Sequence, residues 1–349
     1  MHTFTSYGRG AGSARVRIFD WLDWTGLDAV SDVYLDTSNN SLRTLGAAPL
    51  RVLTAELRLR QSTHAVENST VLISRQASPL SNGIVEERLL TRAEHGVYDF
   101  DDALMHSPPT RTEALWSKRK TWARATSAAD IVIAGNDYLA DQASSLNGNV
   151  VIIPSCVNPN DYAKKAAYEI TQEPRAVWLG SPSTEHYLQR IAPALLVLNK
   201  ATGLRLTLIS VGEADLGLLQ PMVDRVSWTL DGFAQKLKQA DFGIMPLDDN
   251  EWTRGKCAYK LLQYGASGLP LIGSPVGANA PVLAGAQGFA AVTVDDWVSA
   301  METVAAEPVG TRRARGQQAF ETVNTGYSFA AWETAWRAAM ALHDQTTAL

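Results

Sequence analysis

Lys256 and Lys260 stand four residues apart in the stretch Arg254-Gly255-Lys256-Cys257-Ala258-Tyr259-Lys260-Leu261-Leu262-Gln263-Tyr264-Gly265-Ala266-Ser267-Gly268-Leu269-Pro270. The pattern starts a helix over 257–267, and cations are poorly placed at its beginning. A helix N-terminus already carries about half a positive charge, so each lysine near it costs about 0.3–1 kcal/mol. Like charges at i,i+4 add a smaller penalty. An anion seated on the free backbone N–H groups would turn these liabilities into attractions. The segment therefore reads as a phosphate site served by Lys256, Lys260 and Arg254; two solvated lysines on a surface helix are the alternative.

Further candidates follow strand-like runs. Tyr7-Gly8-Arg9-Gly10-Ala11-Gly12-Ser13-Ala14-Arg15 lacks both the GxGxxG spacing and a GK[ST] ending, so it is neither a dinucleotide fingerprint nor a P-loop. Gly10 and Gly12 would let backbone N–H groups approach a ligand, with Arg9 and Arg15 as fork donors; a tight turn fits equally. Tyr98-Asp99-Phe100-Asp101-Asp102-Ala103 gathers three carboxylates, acceptors suited to hydroxyl groups or, in the plainer reading, to capping the next element. Gly180-Ser181-Pro182-Ser183-Thr184 offers hydroxyls to phosphate oxygens, or a helix N-cap at Ser183 or Thr184. The loop 246–256 changes from acidic to basic, and Gly273-Ser274-Pro275-Val276-Gly277-Ala278-Asn279 adds small residues after the next strand. Arg111, Lys118, Arg119, Lys120 and Arg124, with Trp116 and Trp122, form a basic aromatic helix suited to a peripheral contact with an anionic membrane or to a solvated face.

Positioning these residues requires parallel sheets. Strands are expected at 2–6, 30–36, 71–74, 96–100, 130–134 and 150–154, then at 176–180, 204–211, 226–229, 241–246, 269–273 and 289–292. Helical patterns fall between them at 14–24, 84–94, 112–125, 138–146, 184–202, 232–239, 257–267 and 298–306. That alternation predicts βαβ units and an α/β fold of two doubly wound, Rossmann-like domains, with ligands outside the carboxyl ends of the strands. The rhythm breaks near 158–174, at Pro159, Lys164-Lys165 and Pro174. The 349 residues suffice for two domains. A formal charge of −5 and pI near 5.7 argue against a general nucleic-acid partner. Two cysteines, Cys156 and Cys257, form no CxxC, so neither a metal site nor a disulfide framework is expected. With no basic segment and apolar run at the start and no long apolar stretch, the expectation is a cytoplasmic protein.

Taken together, the segments Ala176-Val-Trp-Leu-Gly180-Ser-Pro-Ser-Thr184, Asp241-Phe-Gly-Ile-Met-Pro246-Leu, Gly255-Lys256…Lys260-Leu-Leu-Gln263-Tyr264…Gly268-Leu-Pro270 and Gly273-Ser-Pro-Val-Gly277 resemble the group-1 (family 4) GT-B glycosyltransferases. The resemblance is densest over 176–291. It implies two Rossmann-like domains facing a cleft: an acceptor-side domain over 1–160, a nucleotide-sugar domain over 175–325, and a C-terminal helix over 326–349 crossing back to the first. It further implies a retaining transfer from a nucleotide-diphosphate sugar to an acceptor hydroxyl, with the donor as co-substrate and no metal or other cofactor. Two glutamates of the family pattern fall on Gly255 and Gln263, the Arg…Lys pair near 180–184 is missing, and the family's His-Asp step corresponds to Asp101-Asp102.

On that reading Lys256 and Lys260 stabilise the departing diphosphate, and Asp101 or Asp102 orients or deprotonates the acceptor. Gly10, Gly12, Gly180, Ser181, Ser183, Thr184, Arg254, Gln263 and Gly277 line the donor. The partners are a nucleotide-sugar donor and a small-molecule or glycan acceptor. Two rivals remain: an epimerase or phosphorylase-like reaction on the same fold, or a non-catalytic nucleotide-sugar-binding partner of a transferase.

Overall fold

The computed structural model describes residues 1–342 except 38–39, 109–113, 171, 213 and 230–231. Among the described residues twelve strands lie in two sheets. The first sheet contains β1 (His2–Thr5), β2 (Val30–Val33), β3 (Thr70–Ser74), β4 (His95–Phe100), β5 (Ile131–Ala134) and β6 (Val150–Ile152), in the order β2-β1-β3-β4-β5-β6. The second contains β7 (Arg175–Leu179), β8 (Arg205–Ile209), β9 (Val223–Val226), β10 (Phe242–Met245), β11 (Leu271–Gly273) and β12 (Phe289–Ala290), in the order β12-β11-β10-β7-β8-β9. Every pairing within both sheets is parallel. The expected α/β, doubly wound fold is observed.

One unit comprises Met1–Ser155, Arg254–Cys257 and the chain from Trp332; the other comprises Cys156–Thr253 and Ala258–Ala331. The strand order reverses direction between β1 and β3 in the first sheet and between β7 and β10 in the second. Such reversals part the flanking loops and open a crevice at the carboxyl ends of the strands. Those loops are 6–12 and the residues after Ser74 in the first unit, and 180–184 and 246–250 in the second.

Core residues obey the strand period of two. Along β7, Val177 and Leu179 pack with Leu261, Leu262 and Val323 on one face. Ala176 and Trp178 pack with Leu195, Ile244 and Trp297 on the other. In the first unit Trp336 stacks on Trp21 with ring centroids 5.1 Å apart, so the last described helix, Phe329–Ala339, is anchored by an aromatic pair.

Several expected helices differ. The run at 184–202 is a 3-10 stretch, Pro182–Ile191, followed by α-helix Ala192–Thr202; the change falls at Pro193, which has no N–H to donate to the preceding turn. The helix expected over 257–267 is Tyr259–Ala266, because Ala258 takes a left-handed conformation at its N-cap, φ 54°. Helix Pro49–Ala65 was not expected at all. Of the basic aromatic segment, Arg111 lies outside the described residues. Its helix, Lys118–Ala128, turns Trp122 inward with 7% exposure, while Trp116, just before it, is half-buried. No helix among the described residues is long and apolar enough to cross a membrane.

A buried ion pair pins the first helical turn to β4. Arg17, in the π-helical turn Arg15–Phe19, donates to Asp99 from Nε (3.0 and 3.1 Å) and Nη2 (2.5 Å), and from Nη1 to the Ile153 carbonyl at 3.0 Å. Their side chains are 1% and 2% exposed. Burial pushes the Asp99 carboxyl up, against the pull of Arg17. Removing one partner strands a charge in the core and costs about 3–5 kcal/mol. Arg17→Met should therefore lower the urea midpoint strongly, whereas Arg17→Met with Asp99→Leu should recover much of the loss. Equal midpoints for the two variants would show that the pair is not what holds the turn.

Candidate functional site

In the first unit the side chains converge on Arg75, which no sequence motif marks. Arg75 follows β3 in a left-handed conformation, φ 63°. Its backbone is held there from both ends: its N–H donates to the Asp99 carbonyl at 2.8 Å, and its carbonyl accepts from the Tyr98 hydroxyl at 2.8 Å. The guanidinium then spans three elements. Nη1 donates to Ser13 Oγ at 3.0 Å, Nε lies 3.1 Å from Asp101 Oδ1, and Nη2 pairs with Asp102 Oδ2. Asp101 and Asp102 are thus brought to one cation, although strand alternation would send them to opposite sides. Asp99, the third carboxylate of the motif, is committed to Arg17.

The other oxygen of Asp102 is occupied as well. Lys256 Nζ donates to Asp102 Oδ1 at 2.6 Å. Lys256 lies before Ala258 and outside the helix, so the helix-start reading does not apply to it; it belongs to the unit that carries Asp102. The segment 254–257 is sewn in place. Asn136 Nδ2 donates to the carbonyls of Arg254 (3.2 Å) and Lys256 (3.1 Å), while its Oδ1 caps helix Asp137–Ser144 by accepting from Leu139 N. A Cβ at Gly255 would come 2.6 Å from Ala103 Cβ, and one at Gly135 2.5 Å from Cys257 Sγ. A glutamate cannot fit at 255 without displacing Ala103.

The glycine loop is only partly a packing feature. A side chain at Gly8 would overlap Asp36, but Cβ atoms at Gly10 and Gly12 would meet nothing, and both residues are exposed. Arg9 pairs with Asp23 at 2.7 Å and lies over the Phe19 ring; Arg15 is 3.7 Å from Asp20. These carboxylates take up the positive charge that the loop was expected to offer an anion.

In the second unit the switch-point loops are set by Tyr264. Its hydroxyl accepts from Leu179 N at 2.8 Å and donates toward the Ile244 carbonyl at 3.4 Å, tying helix Tyr259–Ala266 to β7 and β10 together. Gly243 admits its ring, since a Cβ there would overlap it. Burial pushes this phenol well above its usual range, so the hydroxyl is a fixed structural group. The helix so placed carries Lys260 at its second position, with Nζ 5.4 Å from the centre of the Trp178 ring. A side chain on Gly180 would overlap that ring and approach Lys260 Cε to 2.9 Å. Gln263, three residues on and on the same helix face, is 4% exposed, and its amide has no hydrogen-bond partner among the described residues.

Ser181, not Ser183 or Thr184, is the N-cap of the 3-10 stretch, and it makes no side-chain cap bond. Its hydroxyl is 3.0 Å from Ser183 Oγ and 3.3 Å from Thr184 Oγ1, an exposed cluster of hydroxyls beside Gly180. Gly277 is left-handed, φ 54°. Two cavities stand out. The larger, about 490 Å³, runs beside edge strand β2, and neither Arg75 nor the two aspartates line it. The smaller, about 400 Å³, opens at the carboxyl ends of β10 and β11 between Arg190, Leu247, Ser274, Thr293 and Trp297; it is the one placed where a doubly wound sheet binds ligands.

No protein-family model matches the chain, and no curated protein matches it by sequence. Solved structures do match. HepE of Anabaena, in complex with UDP and glucose, superposes with a TM-score of 0.70 at 13% identity, over 97% of this chain and 98% of HepE. WaaG, a glycosyltransferase involved in lipopolysaccharide biosynthesis, matches at 0.65 and 12%, over 97% and 98%. The UDP-forming α,α-trehalose-phosphate synthase of Burkholderia vietnamiensis matches at 0.66 and 12%, over 98% and 100%. TarM matches at 0.62 and 13%, and this chain spans 57% of its length. At such identities the likeness establishes the fold, which is the GT-B fold expected from the resemblance.

Cys257 gives a direct probe of the sewn segment. Burial, and then the nearby Asp101 charge, push its thiol up to about 12; Sγ lies 3.4 Å from the Asp101 carbonyl. Cys156 is also buried. Neither thiol should react with a disulfide reagent at neutral pH until the protein is denatured, when both should. The raised value also sets a sign. Above about pH 8.5, the ordinary thiol value, the unfolded chain loses a proton that the fold retains, so this thiol's contribution to stability falls as pH rises. Rapid native labelling of Cys257 would contradict the packing described.

Proposed function

We propose that the chain is a glycosyltransferase that moves a sugar from a nucleotide-diphosphate donor to an acceptor hydroxyl with retention of configuration. The observation that carries this reading is Lys260. It is a cation at the start of a helix, where positive charge is disfavoured, held against Trp178 and Gly180 at the switch point of the second sheet. A diphosphate there would meet the ammonium, the helix N–H groups and the Ser181, Ser183 and Thr184 hydroxyls. HepE, matched along its whole length, is a UDP complex, which supports a nucleoside diphosphate as the shared chemistry.

In this reading the anomeric carbon–phosphate bond breaks with its electron pair on the diphosphate, and Lys260 stabilises that charge, the largest electrostatic task of the step. The acceptor oxygen bonds the anomeric carbon and yields its proton to the departing phosphate oxygen. Gln263, with its free amide, binds donor hydroxyls, and Gly277 keeps the turn after β11 open. Asp101 and Asp102 bind the acceptor hydroxyl as hydrogen-bond acceptors. Because Arg75 and Lys256 occupy its two oxygens, Asp102 orients rather than deprotonates, and Lys256 is a positioning residue for it instead of a phosphate ligand. Gly10 and Gly12 leave their backbone N–H groups open to a ligand in the same unit. No resident metal is needed for any of these roles. The two cysteines, neither of them in a disulfide, fit a reducing compartment such as the cytoplasm.

The test begins with thermal shifts against uridine, guanosine, thymidine and adenosine diphosphate sugars, followed by turnover with the best donor. Lys260→Ala should reduce turnover by about a hundredfold or more while its melting temperature stays close to that of the parent. Asp102→Asn should raise KM for the acceptor and leave donor binding unchanged. Donor binding without sugar transfer to any acceptor, or a changed sugar formed from donor alone, would replace this reading with the binding-partner or epimerase alternative.

A further inference from the structure

Helix Pro49–Ala65 faces the wrong way for an ordinary surface helix. Its buried side is modest, Ala55, Leu59 and Thr63, while Leu50, Leu53 and Leu57 stand outward with 76%, 57% and 48% exposure. These are i, i+3 and i+7, one stripe of the helix. Leu42, in the preceding short helix, is 57% exposed. Single exposed leucines need no explanation, but an outward stripe on one helix does.

The charges around the stripe indicate what covers it. Over residues 41–65 the chain has four arginines (Arg43, Arg51, Arg58, Arg60) and one acid, Glu56, a local excess of three positive charges in a chain of formal charge −5. On the helix, Arg60 borders the leucines on one side and Arg51 and Arg58 on the other. Glu56 is turned inward, accepting from the Tyr34 hydroxyl at 2.9 Å and Ser78 Oγ at 2.5 Å. Arg58 pairs with Asp32, and Arg51 donates to the Leu35 carbonyl. The side chains of Arg43 and Arg60 have no partner among the described residues and are exposed. An apolar stripe bordered by arginines, with its acid withdrawn, is the pattern of a helix lying in a lipid interface: leucines enter the acyl boundary and guanidinium groups reach the headgroups. A second copy of the chain fits less well, because a two-fold pairing of this face would set arginine against arginine.

We propose that the outward face of Pro49–Ala65, extended by Leu42 and Arg43, docks the protein on an anionic lipid surface. The proposal is independent of the transferase reading, since none of these residues belongs to the site described above. Co-sedimentation of the full chain with vesicles of phosphatidylcholine alone, and with phosphatidylglycerol added, tests it. Binding is expected to the anionic vesicles only, to weaken with salt, and to fall about tenfold or more in Arg43→Glu with Arg60→Glu. Leu50→Ser with Leu53→Ser and Leu57→Ser should abolish it, with an unchanged circular dichroism melt because the replaced side chains face outward. The proposal is overturned if the anionic vesicles are not bound, if binding survives the leucine variant, or if ultracentrifugation shows a dimer that the same variant dissociates. Turnover on a water-soluble acceptor, measured in parallel, should match the parent; its absence in the parent would count against the transferase reading and leave this one standing.

Discussion

The carboxylate of Asp102 is shared between two cations from distant parts of the sequence, and the first unit's chemistry depends on that sharing. Arg75 takes one oxygen and Lys256 the other. An aspartate just past the end of a strand would otherwise turn freely into solvent. Here both oxygens are oriented, and the two charges that orient them are themselves fixed. Arg75 is held by backbone bonds to Asp99 and Tyr98, and Lys256 lies in a segment clamped by Asn136. Partly buried charges are stable only when their partners are preorganised. The left-handed backbone at Arg75, unfavourable for any residue with a Cβ, is the local cost of bringing its guanidinium to Ser13, Asp101 and Asp102 at once.

The second unit solves a different problem with neutral groups. Lys260 lies beside Trp178, whose ring face attracts a cation. Tyr264 fixes the helix register by bonding to the two strands that border the switch point, and Gly180 keeps the space above the indole clear. The ammonium at this helix start is therefore packed against the indole and the glycine. Lys256 paired with Asp102 in the first unit, and Lys260 packed on Trp178 in the second, are thus two different sites that spacing alone had joined.

Much of the framework was legible because parallel strands buried on both faces are written as short β-branched or aliphatic runs; eleven of the twelve expected runs contain a strand, while the run at 226–229 only touches the strand Val223–Val226 that precedes it. Helix Pro49–Ala65 was not, because its leucines fall on two sides and produce no single core stripe. Asp101 and Asp102 were visible as a motif, but Arg75 was not. A lone arginine after a strand carries no signal until the sheet brings β3 beside β4. The helix begins two residues later than expected for a similar reason: nothing in an alanine announces the left-handed turn that Ala258 adopts.

The contacts of residues 254–257 account for the departure at Gly255 from the family pattern. An acidic side chain at that position requires room that Ala103 occupies, and the approach is closed further by the packing of Cys257 on Gly135. A glycine at 255 and the packing of 254–257 within the first unit thus go together. Once the segment is inserted, its next side chain, Lys256, is carried to Asp102. A chain that kept a glutamate at 255 could not make the Asn136 clamp and the Lys256–Asp102 pair in this geometry, so the positions must be read together. Restoring the glutamate alone would remove a fitted glycine and leave Asp102 one cation short.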